Sequence, residues 1–404
     1  MIDLKKHAIP AVLLASFLLR AAYALYTGNT FIYPDEGAYN SLALSMLSGP
    51  DWGGLFQTRE PLYAITIWLT YKLTGPSPLA VKLLQAALST YGAFLLHRTS
   101  RGLFGAKAAF FTLILFAFYP FSVFYDARLL RESLLSFMGI AVLYLSLKPA
   151  GGKGRYLIAA SALAGLAATA KTIFMFYWAP FIAAAVLLRR ISPAAALASA
   201  AAFVLAVAPL AVHNHAHTGK FFLTRGQMFN LYLPLVAPKE LLGTPEENTY
   251  WLKHPVYTKG MTLPEAERDA FFTAELKQEV RERPLNFAQR TAWRFFKLWR
   301  LYPHRGLEYP AGSWLLLCAI SLLSDGWLIP LGLWGAFALR GRLRELYPVY
   351  IYLASFTMIY SLSWSQMRYR LPLMPAVILL CSPLLLELIK KTGIKLPGDE
   401  TDKC

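Results

Sequence analysis

Apolar stretches long enough to cross a bilayer recur along the chain, and short turns carrying Lys and Arg separate them. The first runs from Ala8 to Tyr26, behind Lys5 and Lys6. No small-residue cleavage site follows it, so it reads as a retained signal-anchor helix. Further stretches follow at Leu79–Leu96, Ala108–Tyr125, Leu134–Leu147, Tyr156–Ala170, Ile173–Leu188 and Pro193–Val212. A long polar segment, His213–Pro310, intervenes before Gly312–Leu339, Tyr347–Ser363 and Leu371–Ile389. The pattern predicts an all-α polytopic integral membrane protein with about ten spanning helices.

Shorter helices are expected between the spans. Glu36–Leu47 and Pro61–Leu73 read as amphipathic helices lying along the membrane. Pro264–Arg283 and Pro284–Arg300 read as amphipathic helices with Pro in the first turn. Three regions result: an N-terminal membrane module over 1–212 containing a first loop at 27–78, an outer segment over 213–311, and C-terminal helices with a short tail over 312–404.

Composition agrees, with 56% hydrophobic and 16% charged residues among 404. A net charge of +17 would suggest nucleic acid as a partner. The cations instead collect in the turns: His97-Arg98 and Arg101, Lys148 to Arg155, Arg189-Arg190, Arg340 to Arg344, and Lys390-Lys391. With both termini cytoplasmic, every one of these turns falls on the cytoplasmic side, as the positive-inside rule requires. The expected partners are therefore the lipid bilayer and membrane-borne molecules, with no nucleic acid. The location is a cell (inner or plasma) membrane. Three cysteines suggest neither a disulfide framework nor a zinc site.

The same alternation sends Asp35, Glu60, Asp126, Lys171, His213 and Arg368 to the outer face. Acids beside a bilayer are costly and call for a reason. A carboxylate can act as general base for an incoming hydroxyl, and Arg and Lys can hold a phosphate. Together they suit group transfer from a membrane-bound phosphate leaving group. Each group also has a plainer reading. Asp35-Glu36 fits a solvated, capped helix start, and Arg59-Glu60 a surface ion pair. Asp126 and Glu132 with Arg128 and Arg131 fit a local salt-bridge set. Lys171 fits a lysine snorkelling to headgroups, Arg368 and Arg370 fit interface anchors, and His213, His215 and His217 fit free loop histidines.

The order of short motifs resembles the GT-C membrane glycosyltransferases, and most nearly the protein O-mannosyltransferase and lipid A aminoarabinose transferase group. Asp35-Glu36-Gly37-Ala38-Tyr39 matches the group's first-loop Asp-Glu-x-x-Tyr element. Glu60-Pro61-Leu62-Tyr63 resembles its Pro-Pro-Leu-Tyr, with Glu for the first Pro, and Arg101-Gly102-Leu103-Phe104-Gly105 resembles its basic Leu-Phe-Gly turn. His213-Asn214-His215 with Gly219 stands where the group has Arg-Asn-Tyr and a Gly, and Arg368-Tyr369-Arg370-Leu371-Pro372 matches its Arg-Tyr-Arg-x-Pro.

The resemblance implies a hexosyl- or pentosyltransferase. It would move a sugar from a polyprenyl-phosphate carrier to a protein, lipid or glycan hydroxyl at the outer face, with inversion. Asp35 would be the general base. Glu60 and Asp126 would line the site, and Glu36 would stand beside the base, capping or orienting the loop helix. Arg59, Lys171, Arg368 and Arg370 would hold the donor phosphate. Tyr39, Tyr63, His213 and Asn214 would face acceptor or sugar, and Tyr232, Tyr250, Trp251 and Tyr257 of the outer segment fit either sugar stacking or interface anchoring. No cofactor is required, and a divalent metal is conceivable only through Glu60 and a loop histidine. Two other functions fit an envelope membrane protein: a lipid-linked sugar transporter, which would need polar groups deep inside several helices, and a non-catalytic partner in glycan assembly.

Overall fold

A computed structural model describes residues 4–49, 56, 59–148, 153–242, 244–303 and 311–392. All the described regular structure is helical. Helix α1 spans Leu4–Thr27, followed by two short helices, α2 (Pro34–Ser48) and α3 (Leu62–Thr74). Next come α4 (Pro78–Ala117), α5 (Pro120–Asp126), α6 (Glu132–Ser146), α7 (Lys153–Ala168), α8 (Ile173–Leu187) and α9 (Pro193–Thr218). The outer segment contributes α10 (Gln227–Val236), α11 (Pro255–Thr262), α12 (Glu265–Glu282) and α13 (Pro284–Trp299). The chain returns through α14 (Ala311–Ala338), α15 (Leu343–Leu362) and α16 (Met374–Lys391).

Each expected span is helical, with local differences that have identifiable causes. Helix α4 contains two spans hinged at Gly105, whose φ of +86° a side chain would disfavour. The third span breaks at Phe118–Tyr119, because Pro120 cannot continue the backbone ladder and restricts the residue before it. Helix α9 extends past Val212 to Thr218 and ends on left-handed Gly219, as a glycine cap does. The expected Pro-led helices of the outer segment appear as α12 and α13. The amphipathic reading of α2 and α3 does not hold: neither helix separates a polar from an apolar face, and α3 buries Tyr63, Ile67 and Tyr71 against the bundle.

The basic turns meet at one end of the bundle. There Arg190 donates to the Arg344 carbonyl at 2.8 Å, and Arg342 to the Leu103 carbonyl at 3.0 Å. The opposite end carries α2, α3, the turns at 127–131 and 169–172, the outer segment, and a 3₁₀ segment at Met367–Leu373. Within the outer segment Tyr232, Leu233 and Phe272 form a small core of their own, joined by Trp251, Tyr257 and Trp364. Tyr232 and Trp251 are therefore packed into protein, a role the sequence left undecided between sugars and lipid.

Two ion pairs lie inside the bundle. Arg20 of α1 donates to Asp126 at 2.8 Å, with both side chains essentially unexposed. Ser89 donates to the other Asp126 oxygen at 2.8 Å. Arg370 pairs with Asp325 of α14, which also accepts from the Tyr119 hydroxyl at 2.7 Å. In a low-dielectric interior each pair ties together helices far apart in sequence.

Candidate active site

Five segments that the chain brings to the same end surround one cleft of about 970 Å³. The start of α2 supplies Asp35 and Tyr39; the residues just before α3 supply Arg59 and Glu60. The turn before α6 supplies Arg131 and Glu132, the α7–α8 turn Lys171 and Thr172, and the 3₁₀ segment Arg368 and Tyr369. Residues 223–231, the start of α12 and the end of α15 close the remaining sides.

Helix α2 exists in this position because of its neighbouring acid. Glu36 accepts from the backbone N–H groups of Ile32 (2.8 Å) and Tyr33 (3.0 Å), satisfying orphan donors at the helix start. Its second oxygen accepts from the Leu129 N–H at 2.8 Å, fastening the turn that precedes α6. Glu36 is thus fully buried and its two oxygens are occupied. It positions Asp35 and does not enter the cleft.

Asp35 projects into the cleft with 39% of its side chain exposed. Its Oδ2 accepts from Arg368 at 2.8 Å. Its Oδ1 has Arg59 only at 3.9 Å, beyond hydrogen-bond range, and so remains open to a further donor. Burial alone would raise the Asp35 pKa; the adjoining Arg368, with Arg59 and Arg131, outweighs it and holds the carboxyl below its ordinary value. The group is therefore ionised at neutral pH.

Glu60 plays a different part. It accepts from Arg131 at 2.7 Å and from the Thr172 N–H and hydroxyl at 3.3 Å. Burial pushes its pKa up, but Arg131 and Lys171 bring it below the ordinary carboxylate value. It clamps the α6 and α7–α8 turns together. Lys171 lies over the rings of Tyr369 (4.4 Å) and Tyr360 (5.1 Å). Burial, reinforced by Arg131, lowers its pKa to about 7. Arg368 also faces Glu132, at 3.7 Å, and Glu132 Oε2 is buried with no hydrogen-bond partner.

The sequence candidates therefore divide. Asp35, Tyr39, Arg59, Glu60, Lys171 and Arg368 line one cleft. Asp126 and Arg370 lie elsewhere, consumed by Arg20 and Asp325 in the bundle interior. Tyr63 is buried behind Tyr39, packed edge-on at 4.8 Å, and donates to Gln85 at 2.8 Å. Because α9 continues to Thr218, Asn214 turns inward and donates to the Phe222 and Leu223 carbonyls, while His213 packs between Phe56 and His217. Neither reaches the cleft. Arg131 and Glu132, for which a local salt-bridge set is the plainer sequence reading, are cleft residues. Among the described residues no three His, Cys, Asp or Glu side chains converge as metal ligands. Glu60, the one acid considered for a metal, is already engaged by Arg131 and Thr172.

Comparison with known proteins bears on this arrangement. The family profile for dolichyl-phosphate-mannose-protein mannosyltransferases matches residues 58–213, a stretch holding Arg59, Glu60, Arg131, Glu132 and Lys171. No curated protein matches the chain in sequence. Among solved structures, ArnT from Cupriavidus metallidurans bound to undecaprenyl phosphate superposes with a TM-score of 0.59 at 16% identity, covering 94% of this chain and 60% of that one. AglB, the oligosaccharyltransferase from Archaeoglobus fulgidus in complex with an inhibitory peptide and a dolichol-phosphate, gives 0.56 at 14% identity, covering 96% and 51%. The chain thus spans between half and two thirds of the length of these structures. The likeness along nearly the whole chain gives this protein the polytopic helical membrane fold of ArnT and AglB, and within that fold residues 58–213 match the mannosyltransferase profile.

Proposed function

We propose that the cleft transfers a sugar from a polyprenyl-phosphate carrier to an acceptor hydroxyl at the outer face of the membrane, with Asp35 as general base. The observation that carries this reading is the juxtaposition of an ionised carboxylate, open on Oδ1, with Arg59, Lys171 and Arg368 in one cleft. The carriers bound by ArnT and AglB, undecaprenyl phosphate and dolichol phosphate, support the choice of donor class. The exposed Met175 and Phe176 of α8 line the same cleft and suit a prenyl chain. The convergence of basic turns at the far end supports an outer-face site by the positive-inside rule.

In this reaction the acceptor hydroxyl donates to Asp35 Oδ1, and its proton passes to the carboxylate as the oxygen attacks the anomeric carbon. The bond from that carbon to the phosphate oxygen breaks, and the carrier phosphate leaves with the electron pair. Direct displacement inverts the anomeric centre. The cations stabilise the charge that grows on the departing phosphate. Arg368 is shared between Asp35 and Glu132 in the free protein, so a bound phosphate competes with Asp35 for it. Glu132 lines the cleft beside Arg368 and suits a contact to the sugar. The two mid-bundle ion pairs are satisfied by protein partners, which favours transfer over a transport path.

Undecaprenyl phosphate binding to the purified protein, followed by native mass spectrometry, tests the donor site. Arg368→Ala should weaken it about tenfold or more, the scale of a lost charge-assisted contact. Unchanged affinity would remove Arg368 from the phosphate site. Mass spectrometry of lipid carriers and glycans in a deletion strain would then identify the sugar as the one whose polyprenyl-phosphate form accumulates.

The pH dependence has a defined sign. A lysine with its pKa lowered to about 7 carries its charge below that pH and loses it above. Carrier binding should therefore weaken between pH 6 and pH 8 relative to Lys171→Arg, which stays charged throughout. A pH profile identical in the two proteins would exclude Lys171 as a phosphate contact.

A further inference from the structure

A second cleft, of about 830 Å³, opens at the opposite, basic end of the bundle. Four cations from three turns line it: Arg98 and Arg101 before the α4 hinge, Lys148 after α6, and Arg190 after α8. Its one lining acid, Glu345, is already held by Arg342 at 2.7 Å and 2.9 Å. None of the four cations makes a salt bridge among the described residues. Lys148 lies over the Tyr144 ring at 4.1 Å, and the Arg190 guanidinium donates to the Arg344 carbonyl. The positive-inside rule accounts for cations in turns, but not for their convergence on one concave surface. Like charges gathered this way repel, and an anion between them offsets that cost. Leu147 and Leu157 add an apolar wall beside the charges.

We propose that this cleft binds a phosphate anion, presented as the headgroup of an anionic phospholipid whose acyl chains run along the bundle. Basic pockets between helix ends on the cytoplasmic side suit such headgroups. The cleft lies across the bundle from Asp35, so the inference stands apart from the transfer reaction.

Native mass spectrometry of the full-length protein in detergent, with phosphatidylglycerol, phosphatidylcholine and inorganic phosphate added in turn, tests it. Phosphatidylglycerol should bind in preference to phosphatidylcholine. Arg98→Gln and Arg101→Gln, both at exposed positions, should each weaken it about fivefold, and together about twenty-five-fold. Arg340→Gln, at the same end but outside the cleft, should leave binding unchanged. A thermal melt of each variant checks that the fold is retained, and Arg98→Lys should restore binding. Inorganic phosphate bound with the same dependence on Arg98 and Arg101 would support the anion site and assign it a soluble ligand. Equal binding of the two lipids, or phosphatidylglycerol binding indifferent to both substitutions, would overturn the proposal.

Discussion

Asp35→Asn should lower the rate of sugar transfer by about 10²–10⁴-fold, the range that a positioned general base supplies. The amide preserves the size of the carboxylate and leaves the Glu36 bonds that hold α2 untouched. It cannot take up the acceptor's proton. Carrier binding should be retained or improved, since Arg368 would no longer be drawn to a carboxylate at 2.8 Å. A turnover assay paired with undecaprenyl phosphate binding separates the two effects. Full activity would end the assignment of Asp35 as base. Lost carrier binding with an intact fold would instead mean that Asp35 organises the phosphate site. Glu36→Gln should behave differently from Asp35→Asn, because Glu36 serves backbone N–H groups, so its loss should register in stability before catalysis.

The fold was largely legible because two independent patterns agree. Apolar length located the spans, and the basic turns fixed their alternation; moving one span would have broken the charge pattern. That alternation alone brought Asp35, Glu60, Lys171 and Arg368 to the same end, and the structure seats them in one cleft. What sequence proximity misled was pairing. Asp126, Arg128, Arg131 and Glu132 lie within seven residues and invite a local network. Their observed partners are instead Arg20, Tyr23, Glu60 and Arg368. A tight turn points successive side chains in different directions, so neighbours in sequence look into different parts of the protein. Asp325, inside the apolar run of α14, was the signal that one cation would be withdrawn into the core.

That withdrawal leads to the largest expected stability effect. Asp325→Ala should destabilise the protein by about 3–5 kcal/mol, since it strands Arg370 as an uncompensated charge among buried side chains. The double variant Asp325→Ala/Arg370→Met should recover much of the loss, as replacement of a whole buried pair by an apolar side chain commonly does. Thermal unfolding in detergent of the two single variants and the double variant measures the coupling. Arg370 also donates to the Leu298 and Arg300 carbonyls, so it fastens the 3₁₀ segment to α13 as well as α14. Two residues earlier on that segment, Arg368 faces the cleft. The segment therefore splits its cations between core and site, and the consequences of removing them should split in the same way. Arg368→Ala should cost carrier affinity with little change in stability. Arg370→Met should cost stability by leaving Asp325 unpaired, with any loss of affinity tracking the loss of fold. If Arg370→Met weakened carrier binding as Arg368→Ala does while melting like the parent, Arg370 would be a phosphate ligand and the buried pair would not be its resting place.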